Sequence, residues 1–311
     1  MKIIRTFEEI STIKKEPCAI ALGTFDGIHL GHQDVIKTAI SFVGKQALKS
    51  MVFTFSNHPM SSIMPELVPP QLIDNKAKEQ LLAAMGVDIL VNIPFTRKVA
   101  EISADNFLNL LENLGAKVVV VGENYSYGAG GNANSDTLKR EGKKRGIHVV
   151  IRKLLALHGF VISSTMIRKA IVDGEVDYAE AMLGRPYSLS GKVVHGDARG
   201  RTIGFPTANF DLTNSPFAIP ATGVYAGIVC VEDKRYIASV NVGSNPTFDV
   251  ANTRLEAHLL DYEGDLYGKR ITVEFYAHIR DEKTFSDAEA LKKQIVLDEK
   301  QIKNLFEDVV F

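Results

Sequence analysis

GTFDGIHLGH, residues 23–32, follows at once on the apolar run CAIAL, residues 18–22, and sets two histidines among three glycines. Five apolar residues in a row read as a buried strand, and the periodic segment HQDVIKTAISFV that starts at His32 reads as a helix. The stretch between them is therefore a strand-to-helix turn. Such a turn has two uses. Its histidines can brace the bend by packing, or its backbone N–H groups and the helix N-terminus can be shaped to hold an anion. Gly27 and Gly31 let the backbone approach a ligand closely, while His29 and His32 supply donors for phosphate oxygens, and this combination favours the second use. Neither a Walker A motif nor a G-x-G-x-x-G fingerprint is present.

Working outward, β-branched runs alternate with helical patterns as far as residue 184. Strands are expected at MVFTF (51–55), ILVNI (89–93), KVVVVG (117–122) and HVVIRK (148–153), besides CAIAL. Helices are expected at KAKEQLLAAM, ADNFLNLLENL and SDTLKREGKKR, with Ser103 and Ser135 as N-caps. Alternation of this kind implies an α/β unit with a parallel sheet covered on both faces, which binds ligands at the carboxyl ends of its strands. Beyond Gly184 and Pro186 the texture changes. SGKVVHG, TANFDL, GVYAGIVCVE, KRYIASVNVG, TRLEAHLLD and RITVEFYAHIR follow one another with no helical pattern until SDAEALKKQIVLDEKQIKNLFEDV. Short consecutive strands closed by one helix imply a small antiparallel β-barrel with a C-terminal helix. Two domains are expected, 1–184 and 185–311.

Bulk composition limits the chemistry. With 36 basic against 37 acidic residues, the chain is not a duplex nucleic-acid binder held by bulk charge, so any phosphate site is local. Cys18 and Cys230 form no C-x-x-C pair and read as buried thiols in a reducing compartment. MKIIRTFEEI meets charge too early for a signal peptide, and no apolar run reaches membrane-spanning length, so a cytoplasmic enzyme is expected. His148, His158, His195, His258 and His278 show no metal-ligand spacing. GAGGNAN (128–134) reads as a surface loop that could equally touch a ligand, and KREGKKRG as a solvated helix face and its end.

Two further motifs accompany the opening stretch: VGENYSYG (121–128) after the fourth strand, and ISSTMIR (162–168) at a helix start. Together the three resemble the nucleotidyltransferase superfamily, whose H-x-G-H element, here His29-Leu30-Gly31-His32, holds ATP phosphates during nucleotidyl transfer. The resemblance implies a Rossmann-like sheet, with Gly23, Phe25, Asp26, Gly27 and Gly31 around the nucleotide and Ser163, Ser164, Thr165 and Arg168 as a second anion clamp. It also implies Asn124 as a donor, and His58 and Pro59 with Asn124 beside a flavin. GKVVHGDARGRTIGFPTANF (191–210) is similar to the riboflavin kinase signature. There Gly196, Arg199, Gly200, Arg201 and Gly204 would belong to the cover over the ATP phosphates, with Thr207 and Asn209 holding Mg²⁺ and phosphate oxygens. The acidic residue used as base maps to Glu256.

Taken together, the chain resembles the prokaryotic bifunctional riboflavin kinase/FAD synthetase family. This implies phosphorylation of riboflavin to FMN, then adenylylation of FMN to FAD, with ATP as co-substrate and Mg²⁺ as cofactor. Partners are small molecules, with no nucleic acid or membrane and with weak self-association left open. A chain that keeps adenylyl transfer beside a weak kinase, and a flavin-sensing regulator on the same fold, remain alternatives. Three motifs depart from the family pattern, at four positions: Ser56 and Asn57 ahead of His58, Met166 in the helix-start motif, and Asn245 in SVNVGSNPTF (239–248).

Overall fold

In the computed structural model of the chain, every residue is described except 13, 197–203, 211, 213–214, 233, 245–252 and 308–311. Contacts divide it into two compact units, Met1–Ser164 and Thr165–Phe311. The division falls ahead of Gly184 because helix Val176–Leu183, which Gly184 ends in a left-handed cap, buries Val176, Ala179, Met182 and Leu183 and packs on strands of the second unit.

The first unit is built on six parallel strands: β1 (Lys2–Ile4), β2 (Cys18–Leu22), β3 (Lys49–Phe55), β4 (Ile89–Ile93), β5 (Ala116–Gly122) and β6 (His148–Arg152). Their order is β1-β4-β3-β2-β5-β6. Every residue of β2 is buried, and alternate residues feed two cores: Ile20, Leu22, Val119 and Val121 on one face, Ala19, Ala21, Val118 and Val120 on the other. Four of the helices on this sheet are α1 (Leu30–Ile40), α2 (Asn75–Ala84), α3 (Ala104–Asn113) and α4 (Ser135–Lys144). Between β2 and β5 the strand order reverses, which opens a crevice at their carboxyl ends.

Sequence patterning missed β1, whose three residues pair only with β4 and are too few to show a period. Ser103 caps α3 as expected, accepting from Asn106 N–H. Ser135 does not cap α4. Asn134 does, in a reciprocal box with Thr137, which leaves Ser135 as the first helical residue with its hydroxyl donating to Glu123 O at 2.9 Å. In the basic run at the end of α4, Arg145 is not merely solvated: it pairs with Asp105 and with Glu112 on α3. Cys18 is buried, with its thiol pushed up to about 12 by burial, whereas Cys230 is only half-buried.

Helix α5 (Ser164–Val172), whose first residue ends the first unit, and α6 (Val176–Leu183) lead into the closed antiparallel barrel of the second unit. Its strands are β7 (Tyr187–Val194), β8 (Ala208–Phe210), β9 (Gly223–Val231), β10 (Lys234–Ser244), β11 (Thr253–Leu259) and β12 (Arg270–Arg280), ordered β7-β8-β11-β10-β9-β12. Leu255, Ala257, Val240, Val242 and Val273 fill its interior. The last helix, α7 (Ala288–Leu305), is anchored on the barrel wall by Asp298, whose side chain is only 4% exposed and accepts from Arg280 Nε at 3.0 Å and Nη2 at 2.9 Å. Removing one partner of a buried pair strands the other charge. Asp298→Ala is thus expected to cost about 3 kcal/mol, read as a lower urea midpoint for unfolding of the barrel.

Candidate active sites

The β2–α1 turn is held from behind. Phe25 and Ile28 both adopt positive φ (49° and 43°), a strained conformation for large side chains, and both are 1% exposed in the core under the sheet. Gly27, at φ 80°, lies between them. His29 is the N-cap of α1: its Nδ1 accepts the His32 backbone N–H at 3.3 Å, so its proton sits on Nε2. A Cβ at Gly31 would lie 3.1 Å from the His29 ring, so any larger residue there would crowd the ring and shift it by a few tenths of an ångström. His32 stacks on His29 with ring centroids 3.6 Å apart and meets the edge of Phe25 at 5.3 Å. Burial, then the neighbouring His29 and the Lys78 ammonium, push the His32 imidazolium well below the usual histidine range, so the ring is neutral near pH 7. Its Nδ1 is buried with no hydrogen-bond partner among the described residues. A buried orphan nitrogen at a helix N-terminus is what an incoming oxyanion would satisfy.

A cavity of about 640 Å³ opens at this crevice, a size suited to a nucleotide or cofactor. Gly23, Phe25, His29, Gly31 and His32 line it from the turn after β2 and the start of α1, Gly122 and Asn124 from the end of β5 and the residues after it, and Ser163 and Ser164 from the residues that open α5. Asn124 Oδ1 lies over the end of β5, 3.0 Å from where a Gly122 Cβ would stand. Pro59 also lines the cavity, but His58 does not; its Nδ1 accepts Met60 N–H at 3.2 Å. Asn57 is likewise spent locally, exchanging hydrogen bonds with Phe95 N and O. Asp26 is off the cavity wall, accepting Leu72 N–H at 3.0 Å, while its carbonyl takes the Ser164 hydroxyl at 3.0 Å and ties the start of α5 to the turn. Thr165 and Arg168 continue α5 in the second unit.

The sequence left one contributor open between surface loop and ligand contact, and it gave no sign of one buried cation beside the turn. Gly128, Gly130 and Gly131 stand on the cavity wall, all at positive φ, and a Cβ on Gly128 would be 2.8 Å from Asn132 Oδ1. The GAGGNAN loop is therefore part of the site, and its string of glycines was the available signal. Lys78 on α2 is 6% exposed and donates to Phe55 O at 3.1 Å, at the carboxyl end of β3. Burial lowers its pKa while Asp26 supports its charge. Nothing in KAKEQLLAAM distinguishes it from a surface lysine.

On the barrel, Asn209 of β8 pairs in register with Glu256 of β11. Leu255 and Ala257 point inward, so Glu256 stands on the outer face. Thr207 Oγ1 donates to Glu256 Oε2 at 3.3 Å, and Asn209 Nδ2 reaches Thr207 O at 3.4 Å. Gly196 packs directly on Asn209, where a Cβ would meet its amide at 2.5 Å. Gly196→Ala is accordingly expected to push the Asn209 amide aside and raise KM for ATP in riboflavin phosphorylation roughly tenfold, with FMN adenylylation unaffected. Gly204 is at φ 91°. Arg199, Gly200, Arg201 and Asn245 lie outside the described residues.

The family profile for FAD synthetase matches residues 11–166, and that for riboflavin kinase matches residues 183–306. A bifunctional riboflavin kinase/FMN adenylyltransferase of Escherichia coli (strain K12) is 35% identical over 309 residues, 98% of each chain. The protein of that name from Listeria monocytogenes is 37% identical over 306 residues, 97% of this chain and 95% of that one, and the one from Bacillus subtilis is 34% identical with 99% of each covered. A crystal structure described as a macrolide-efflux protein from Streptococcus pneumoniae superposes with a TM-score of 0.87 at 33% identity, covering 97% of this chain and 98% of that one. No helix among the described residues here is long and apolar enough to cross a membrane.

Proposed function

Because the chain belongs to the bacterial bifunctional riboflavin kinase/FMN adenylyltransferase family, we propose a division of its two reactions between two residue sets, one on the sheet and one on the barrel. The enzyme phosphorylates riboflavin to FMN and adenylylates FMN to FAD. Residues 1–184 carry the adenylyl transfer and 185–311 the phosphorylation.

In adenylyl transfer an FMN phosphate oxygen attacks the α-phosphorus of ATP and pyrophosphate leaves. The nucleophile is already an anion, so the work left to the protein is alignment and stabilisation of charge. His29, through Nε2–H, and neutral His32 donate to the phosphates at the α1 N-terminus. Asn124 adds a donor and Ser163 extends the clamp, and the family resemblance assigns Thr165 and Arg168 to the second anion clamp. Gly23, Gly27 and Gly31 keep side chains out of the way, and Phe25 and Asp26 shape the turn from below. Pro59, with the apolar wall formed by Phe55 and Phe95, faces the flavin. His58 acts on that flavin only through its turn.

In phosphorylation Glu256 takes the proton from the primary hydroxyl of riboflavin as that oxygen attacks the γ-phosphorus of ATP and ADP leaves. Among the described residues no group of three or more His, Cys, Asp or Glu side chains is arranged to hold a metal ion. A hard cation fits the oxygen set that is present: the Thr207 hydroxyl, the Asn209 amide oxygen and the Glu256 carboxylate. When bound there, Mg²⁺ offsets phosphate charge. By the family resemblance the cover over the ATP phosphates is assigned to Gly196 and Gly204, together with Arg199, Gly200 and Arg201, which lie outside the described residues. A cytoplasmic enzyme working on small soluble substrates fits this chemistry.

The observation that carries the reading is the orphaned His32 nitrogen at the sheet's switch point, buried at a helix N-terminus with no protein partner among the described residues. Its test is a time course with riboflavin, ATP and Mg²⁺ beside one started from FMN, with flavins separated by chromatography and EDTA controls. FMN is expected before FAD in the first and FAD at once in the second. FAD formed from riboflavin with no FMN intermediate would overturn the sequence of steps, and full rates in EDTA would remove Mg²⁺.

A further inference from the structure

Two residues beyond Glu256 on β11, and on the same outer face, His258 turns each ring nitrogen to a different oxygen. Nδ1 lies 2.7 Å from Pro206 O, and a carbonyl only accepts, so Nδ1–H donates. Nε2 lies 3.2 Å from Glu299 Oε1 on α7, and both side chains are largely enclosed, at 15% and 19% exposure. The ring also meets Phe205 edge-on at 5.5 Å.

The register explains why a side chain is needed here. β8 begins only at Ala208, which pairs with Ala257, so the ladder to β11 ends before Pro206 and Thr207. Proline has no N–H to extend it. Without His258 the Pro206 carbonyl would lose its bond, and Thr207 would hang on the far side of an untethered peptide. With it, the segment Phe205–Thr207 is pinned to β11 next to Glu256, where Thr207 makes its 3.3 Å contact. On the opposite side Nε2 stands 3.2 Å from Glu299 Oε1, within ion-pair distance but with no hydrogen bond formed to that oxygen.

We infer that His258 is a positioning residue for riboflavin phosphorylation: it sets Thr207 against Glu256, and through Glu299 it makes that placement depend on the C-terminal helix α7. The inference rests on the proposed role of Thr207 and Glu256 in the kinase step.

Asparagine and glutamine separate its two contacts, because the Asn amide nitrogen falls where Nδ1 was and the Gln amide falls where Nε2 was. The full-length variants His258→Asn, His258→Gln, His258→Ala, Glu299→Gln and Glu256→Gln would be assayed for kcat and KM in riboflavin phosphorylation, for FMN adenylylation, and for thermal unfolding. Expected are a fall in kinase kcat of roughly tenfold to a hundredfold in His258→Ala and His258→Gln, recovery to within a few-fold in His258→Asn, and a smaller fall in Glu299→Gln. Adenylylation should be unchanged throughout. Equal rates in the Asn and Gln variants, or a kcat that merely tracks the melting temperature, would overturn the inference. If His258→Ala does not fold, the Asn–Gln comparison and Glu299→Gln still decide it. Full phosphorylation by Glu256→Gln would instead sink the reading on which the inference stands.

Discussion

His32→Ala is expected to lower FAD formation from FMN by about a hundredfold to a thousandfold while leaving FMN formation from riboflavin intact. The size follows from what the side chain is. A neutral, enclosed imidazole with an orphaned nitrogen is fixed before the substrate arrives, so its hydrogen bond to developing phosphate charge needs no reorganisation. Alanine removes the donor and also the stacking partner that holds His29 in place. His32→Asn keeps a donor but not the ring, and should recover only part of the rate. The measurement is single-turnover conversion of FMN to FAD beside riboflavin phosphorylation in the same preparation. Equal losses in both reactions would contradict the division of labour between sheet and barrel.

Glu256→Ala should do the reverse. General-base assistance contributes about a hundredfold to ten-thousandfold, and this carboxylate has the Thr207 hydroxyl as its neighbour and contact. Phosphorylation of riboflavin should fall by that order, while FAD still forms from supplied FMN at the unaltered rate. Glu256→Gln, which keeps shape and one oxygen, separates proton removal from the loss of an oxygen ligand. If the Gln variant is as slow as the Ala variant, with an unchanged KM for ATP, the carboxylate is needed for the proton.

The fold was readable because its two textures differ in period. CAIAL and KVVVVG are uninterrupted apolar runs, as a sheet buried on both faces requires, whereas TRLEAHLLD alternates about a barrel wall, with Leu255 and Ala257 inward and Glu256 and His258 outward. What escaped has no local pattern. Lys78 lies in a helix whose sequence is that of any amphipathic surface helix, and its burial comes from the ends of β2 and β3, distant in sequence. Ser135 was mistaken for a cap because Asn134, one residue earlier, is an equally good one and has Thr137 to answer it. The histidines were judged for metal spacing, so His258 was passed over. Its partners Pro206 and Glu299 lie on either side of it at separations that only the closed barrel and its final helix bring together.

The positive φ of Phe25 and Ile28 also bears on how the adenylyl site can be damaged. A turn bent against its own preference keeps its shape only while two large side chains stay seated in the core. Its ordering entropy is met when the chain folds, not when ATP binds. On the proposed role of this turn, affinity for the triphosphate is inherited from the packing beneath the sheet. Conservative lesions in that core, such as Val52→Ala, would lower substrate binding as well as stability.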